Sequence, residues 1–213
     1  MTNPRTVSHP AGQLCIPLED LEFVVIDLET TGWSPDEARI TEVGAVRVRA
    51  GQVVGELGSL VNPGTPVPTE ITELTGLTDD MLVLAPPIGT VLPALLGFAG
   101  QCVVAAHNAP FDLGFLSAAC RVADLTWPVT PVLDTLLLAR ALTGADEVPD
   151  HKLGTLARYF GVRDEPCHRA LADARATAAV LGILLGRAAG RGFRTLCQLI
   201  AWLDALETAA AVG

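Results

Sequence analysis

Lysine is nearly absent: of the 14 basic residues in this 213-residue chain a single one is lysine, Lys152, and 24 acidic residues leave a net charge of −10. So acidic a balance excludes the broad basic surface with which proteins wrap a long duplex. It leaves room for a nucleic-acid site only where bound divalent cations supply positive charge locally. Cysteine is sparse as well. Cys15, Cys102, Cys120, Cys167 and Cys197 are odd in number and scattered, without C-x-x-C spacing, which argues against a disulfide framework and against a zinc site. Cys167 and His168 are sequence neighbours, a placement that rarely lets two side chains face each other as a nucleophile pair. Long hydrophobic runs are missing. The stretch Ala176 to Gly186 is too short to span a bilayer and is interrupted by Gly182, so it reads as a buried helix. The first 17 residues contain one arginine and no apolar h-region, which is not a secretory signal. These absences lead to the expectation of a cytoplasmic protein with no membrane association. No internal repeat or low-complexity linker marks a second domain.

Half of the residues are apolar and 18% are charged, a globular composition with enough chain for one good core. Residues 1–20 hold three prolines and no periodicity, and read as a flexible arm. Beyond them the pattern predicts strands over Phe23–Asp27, Ile40–Arg49 and Val53–Val61, the last two joined by Ala50-Gly51-Gln52. Arg47 and Arg49 alternate with Val46 and Val48, which predicts one wet face. Short helices are expected over Thr69–Thr75 and Thr78–Leu84, and a longer one over Pro87–Ala99. Then strand and helix alternate: strand 102–106, helix 110–123, strand 131–134, helices 134–142 and 152–161, and a long helix over Ala170–Ala188. A last helix covers Thr195–Ala209. Three antiparallel strands followed by alternating helix and strand indicate one α/β domain with a mixed five-stranded sheet flanked by helices.

Three short motifs carry chemistry. In VVIDLETTG, Asp27 and Glu29 stand two residues apart, and in a strand such residues share a face about 7 Å apart along the backbone. Like charges so close need a counter-charge, although an isolated D-x-E also fits a strand ending in a capped turn. HNAPFD follows the strand at 102–106 directly, where open α/β sheets place ligands, and Asp112 falls in the first turn of the next helix. In HRALAD, Asp173 lies among small apolar residues, where a lone charge is expensive to bury, with His168 five residues before it. Oxygen ligands without a Cys or His cluster suit Mg²⁺ or Mn²⁺. Four carboxylates around two such ions, roughly 3.5 to 4 Å apart, clamp an in-line phosphoryl displacement. Asp134, a fifth carboxylate, reads as the N-cap of the helix that follows it.

The motifs DLETTG, HNAPFD and HRALAD, in this order, closely resemble the three exonuclease motifs of the DnaQ-like DEDDh superfamily of 3′ to 5′ exonucleases, which includes the proofreading epsilon subunit of bacterial DNA polymerase III. ITELTGLTDDML and VLDTLLLAR resemble that family's segments between the motifs. The resemblance covers about residues 20 to 188. It implies a ribonuclease H-like fold, with an exonuclease domain over residues 21–190 and a C-terminal helical extension over 191–213 packed on it. It implies Asp27, Glu29, Asp112 and Asp173 as ligands of two divalent metal ions, Asp27 bridging them, and His168 as the general base. Thr30, Thr31, Leu74, Thr75, His107, Asn108 and Phe115 become candidates for contact with the 3′-terminal nucleotide. The implied activity is removal of nucleoside 5′-monophosphates from single-stranded 3′ ends, DNA favoured over RNA, with a DNA polymerase or repair protein as an expected partner. The rival readings are an exoribonuclease trimming RNA ends and a non-catalytic binding module; a degenerate member of the latter kind would be expected to lose a ligand or the His, and all five residues are present.

Overall fold

The computed structural model describes residues 16–127, 130–144 and 146–212. Residues 1–15 of the expected arm, with Cys15, lie outside the described residues. Its last residues are held in place: Leu18 N–H donates to Arg194 O at 2.9 Å, Pro17 bridges to Thr195, and Ile16 and Leu18 pack against the core.

The sheet has five strands, β1 (Glu22–Thr30), β2 (Ile40–Arg49), β3 (Gln52–Leu60), β4 (Val103–Ala106) and β5 (Val132–Asp134), in the order β3-β2-β1-β4-β5. β1, β2 and β3 pair antiparallel, while β4 and β5 run parallel to β1, the mixed sheet that the sequence pattern indicated. The helices are α1 (Thr69–Thr75), α2 (Asp79–Leu82), α3 (Ile88–Ala99), α4 (Ala109–Val122), α5 (Thr135–Leu142), α6 (Leu153–Phe160), α7 (Ala170–Gly190) and α8 (Leu196–Val212). Caps fall where the side chains call for them. Thr78 accepts from Met81 N–H ahead of α2, and Asp134 accepts from Leu136 and Leu137 N–H ahead of α5, the N-cap role read for it.

Alternation along β1 divides the core. Phe23 and Val25 belong to a cluster shared with α5, α6, α7 and α8, whereas Val24, Ile26 and Leu28 join α3 and α4 on the opposite face. Leu196, Leu199 and Leu203 of α8 are buried in the first cluster. Burial of β2 and its pairing with β1 explain the departures from the sequence reading that bear on the site. β2 is covered along nearly its whole length, and the wet face expected from Arg47 and Arg49 is confined to its far end. β1 does not stop at Asp27 but continues to Thr30, because β2 pairs with it as far as Thr30↔Ile40 through an irregularity after Glu29.

Candidate active site

Asp27 and Glu29 share the face of β1 on which Phe23 and Val25 meet α7. The α7 N-terminus is seated there by Gly44, the register partner of Asp27 on β2: a Cβ at this position would lie 2.2 Å from Ala170 C and 2.3 Å from Ala170 O. Any side chain at Gly44 would therefore hold the helix off the sheet. With the first turn pressed onto β2, Asp173 stands buried beside Glu29.

The second motif reaches the same place from the other side. β4 runs parallel to β1 and delivers the chain to Asn108, whose left-handed backbone (φ +73°) turns it into α4. Asp112, buried in the first turn, accepts the Leu28 N–H on Oδ1 at 3.1 Å. That bond fixes the carboxyl to the backbone between Asp27 and Glu29.

The third motif adds His168, exposed, with φ +57°. One ligand atom from each of Glu29, His168 and Asp173 lies within 4.8 Å of the others, a candidate metal site among the described residues. Asp173 Oδ1 accepts the Cys167 N–H at 2.8 Å, so this carboxyl also ties down the segment leading to His168.

Electrostatics marks the cluster as strained for like charge. Burial, then the charges of Asp112, Asp173, Glu29 and Glu42, hold the Asp27 carboxyl well above the usual range. Glu29 is pushed up to about 8 by burial and by Asp173 and Glu42, with Arg169 opposing. Burial raises Asp112 despite the N–H bond from Leu28, and raises Asp173 despite the N–H bond from Cys167. Acidic oxygens that resist ionisation unless a cation joins them are the donor set that suits a divalent ion. The residues present thus fit the metal that the sequence implied.

The expected substrate contacts divide. Leu74 is partly exposed, as nucleotide contact requires. Thr30 Oγ1 donates to Gly32 O, Thr31 Oγ1 accepts from Arg39 N–H, and Thr75 Oγ1 donates to Ile71 O while accepting from Leu77 N–H, so these hydroxyls already serve the local turns. Phe115 is core. His107 spends both ring nitrogens inside the fold, Nδ1 at 3.0 Å from Thr135 Oγ1 and Nε2 at 2.9 Å from His151 O. Burial lowers its pKa, which favours the neutral ring with Nε2–H donating to that carbonyl. Asn108 serves through its backbone, its N–H donating to Asp134 Oδ1.

Several residues escaped the motif reading. Trp33, directly after DLETTG, is 74% exposed, with its ring 6.4 Å from that of Phe111, which in turn lies 5.0 Å from Phe115. Glu42 is buried opposite Glu29 and accepts three hydrogen bonds from Arg169 and Ala170. The signal for Glu42 was available: it shares the period-2 face of Gly44, Val46 and Val48, a place where an acid needs a partner.

A sheet in this order, with acidic residues from three segments meeting at one end of it, defines a nuclease of the ribonuclease H-like fold. The chain belongs to the exonuclease family whose model matches residues 24–181, in agreement with its DnaQ-like motifs. It is 46% identical over 209 residues to a Mycobacterium tuberculosis protein named as a bifunctional exonuclease/endonuclease, covering 92% of this chain and 32% of that protein. It is 39% identical over 178 residues to the PolC-type DNA polymerase III of Bacillus subtilis, covering 83% of this chain and 12% of the polymerase. The chain thus spans a third or less of these relatives. Among solved structures, Exonuclease X in complex with 5′ overhanging duplex DNA superposes with a TM-score of 0.62 at 27% identity, covering 77% of this chain and 91% of that one. Escherichia coli Exonuclease I in complex with a dA16 oligonucleotide shares the fold at 19% identity, with a TM-score of 0.69, over 79% of this chain and 41% of its own. No helix among the described residues is long and apolar enough to cross a membrane.

Proposed function

We propose that this nuclease is a divalent-metal-dependent 3′ to 5′ exonuclease that removes nucleoside 5′-monophosphates from single-stranded DNA ends. The observation that carries the reading is the meeting of Asp27, Glu29, Asp112 and Asp173, four carboxylates from three segments whose pKa values are raised first by burial and, for Asp27, Glu29 and Asp112, also by neighbouring carboxylates. Mg²⁺ or Mn²⁺ held by these four would supply counter-charge and Lewis acidity for the attack of water on a phosphodiester. The chain's own residues do the rest. Asp112 is oriented by Leu28 N–H and Asp173 by Cys167 N–H, so each keeps one oxygen in a fixed direction. His168, exposed and beside Glu29 and Asp173, takes the proton from the attacking water as general base. The exposed Trp33 ring and Leu74 offer apolar faces for the terminal bases, a grip on one or two nucleotides that asks for little basic surface.

The PolC-type relatives support a role beside a DNA polymerase or in repair, and DNA in preference to RNA as substrate. The cysteines Cys102, Cys120, Cys167 and Cys197 are free thiols, which supports a reducing compartment and a cytoplasmic location. The test is digestion of 5′-labelled DNA and RNA oligomers of matched sequence, alongside a circular single strand. Shortening of the linear DNA from its 3′ end with the circle intact is expected. Faster RNA digestion would transfer the reading to an exoribonuclease, and cutting of the circle would contradict an exonuclease.

A further inference from the structure

The segment that carries His168 is fastened at both ends to carboxylates. On one side Cys167 N–H donates to Asp173 Oδ1 at 2.8 Å. On the other, Arg169 lays its guanidinium on Glu42, with Nε 3.0 Å from Oε2 and Nη2 2.9 Å from Oε1, and the next N–H, that of Ala170, donates to Glu42 Oε2 at 3.0 Å. Between these anchors His168 adopts φ +57°, a left-handed conformation that a residue with a Cβ keeps only when its surroundings impose it. Glu42 is itself placed by the sheet, 7% exposed and in register with Glu29. The strand β2, paired with the β1 that bears Asp27 and Glu29, therefore sets through one buried carboxylate where the backbone of His168 stands.

Two features separate this contact from an ordinary surface ion pair. The fork is bidentate and charge-assisted, which fixes direction as well as distance, and a lysine cannot reproduce it. Glu42 is buried beside another acid, where an acid without its arginine would be costly, and it also receives the first N–H of α7, that of Ala170, at the place where Gly44 lets the helix approach the sheet. We infer that Glu42 and Arg169 are positioning residues, a clamp that holds His168 over the carboxylates for proton transfer. The inference rests on the general-base role given to His168 above. A base displaced by about 1 Å loses on the order of 10²-fold in rate, so a clamp of this kind acts on turnover.

The experiment is a double-mutant cycle of Arg169→Lys with His168→Ala, read by single-turnover rate on a 5′-labelled oligomer, with melting temperature and calorimetric Mn²⁺ titration of each variant. Arg169 is 42% exposed at its side chain, so Arg169→Lys is expected to fold. It should slow turnover about 10- to 100-fold with Mn²⁺ affinity kept, yet cost no more than about 2-fold when His168 is already alanine. Glu42→Gln, nearly isosteric, should repeat the pattern. Amide hydrogen exchange of metal-free Arg169→Lys gives a readout independent of activity: Cys167 and Ala170 should exchange faster while the strands stay protected. Equal losses in both backgrounds, full activity of Arg169→Lys, or a raised KM at unchanged kcat, which would make Arg169 a substrate contact, overturns the clamp. So does unchanged exchange at Cys167 and Ala170. Lack of activity in the unmodified protein would instead sink the exonuclease reading, and the exchange arm would still decide whether the clamp exists.

Discussion

The backbone N–H of Leu28 donates to Oδ1 of Asp112, 84 residues away in sequence, at 3.1 Å. One hydrogen bond thus links the first acidic motif to the second and sets Asp112 between Asp27 and Glu29 before any cation arrives. Asp112→Asn keeps an oxygen for this bond and removes the charge. Its melting temperature should stay close to that of the unmodified protein while Mn²⁺ affinity falls by at least about tenfold. Asp112→Ala should lower both. Calorimetric titration and a thermal melt on the two variants separate the roles; equal Mn²⁺ affinity in Asp112→Asn would remove Asp112 from the ligand set.

His168 offers a ring nitrogen within 4.8 Å of a carboxylate oxygen of Glu29 and one of Asp173, so geometry allows it to be a ligand as well as a base. With a general-base role, His168→Ala should keep Mn²⁺ binding and slow single-turnover cleavage by about 10²- to 10⁴-fold. Asp27→Ala should lose metal and activity together. If His168→Ala loses Mn²⁺ as completely as Asp27→Ala, His168 is a ligand.

Stability without metal should fall as pH rises. Glu29, raised from its ordinary 4.5 to about 8, binds its proton more tightly in the folded state than in the unfolded one. That contribution is complete below the unfolded value and is lost as pH climbs through the folded one. Asp27, Asp112 and Asp173 are shifted in the same direction. Glu147, lowered to about 2 by its bond from the Tyr159 hydroxyl and by further donors, has the opposite sign, but its contribution fades only below 4.5, outside this window. His107, lowered by burial, also has the opposite sign and adds stability as pH rises within the window, but it is one group against four raised carboxyls. Chemical denaturation of chelated protein should therefore give a higher midpoint near about pH 5.5 than near about pH 8.5, and saturating Mn²⁺ should remove or reverse the difference. A midpoint that rises with pH in chelator would contradict the crowded-carboxylate account.

Much of this candidate site was legible in the sequence, because its acidic residues come as short motifs at the ends of strongly patterned elements. The β2 and α1 boundaries, Ile40–Arg49 and Thr69–Thr75, coincide with those read from periodicity and caps. What escaped depends on pairing between distant segments. The strand extends past Asp27 because β2 continues to pair with it, and local turn chemistry in Thr30-Thr31-Gly32 hides that. Glu42 stands on a face of β2 where an acid needs a partner, but that partner is known only when Arg169, 127 residues away, lies against it. His107 reads as a substrate contact until Thr135 and the His151 carbonyl occupy its ring. Trp33 resembles any loop residue until Phe111 appears beside it, itself packed on Phe115.

Trp33→Ala tests whether that exposed ring holds substrate. Stacking of a base on an aromatic ring contributes about 1–3 kcal/mol, so KM for a single-stranded oligomer should rise at least about fivefold with Mn²⁺ affinity and melting temperature unchanged. Unchanged KM would assign the ring no part in binding.

The central claim, metal-dependent release of mononucleotides from 3′ ends by the four carboxylates, is tested most directly by identifying what is released. Uniformly labelled single-stranded DNA is incubated with the protein in Mg²⁺, in Mn²⁺ and in excess chelator, beside Asp27→Ala, and the products are resolved by chromatography. Nucleoside 5′-monophosphates should appear from the first turnovers with either metal, and none with chelator or with Asp27→Ala. Release that persists undiminished in chelator, or products that are 3′-monophosphates or oligonucleotides, would contradict it.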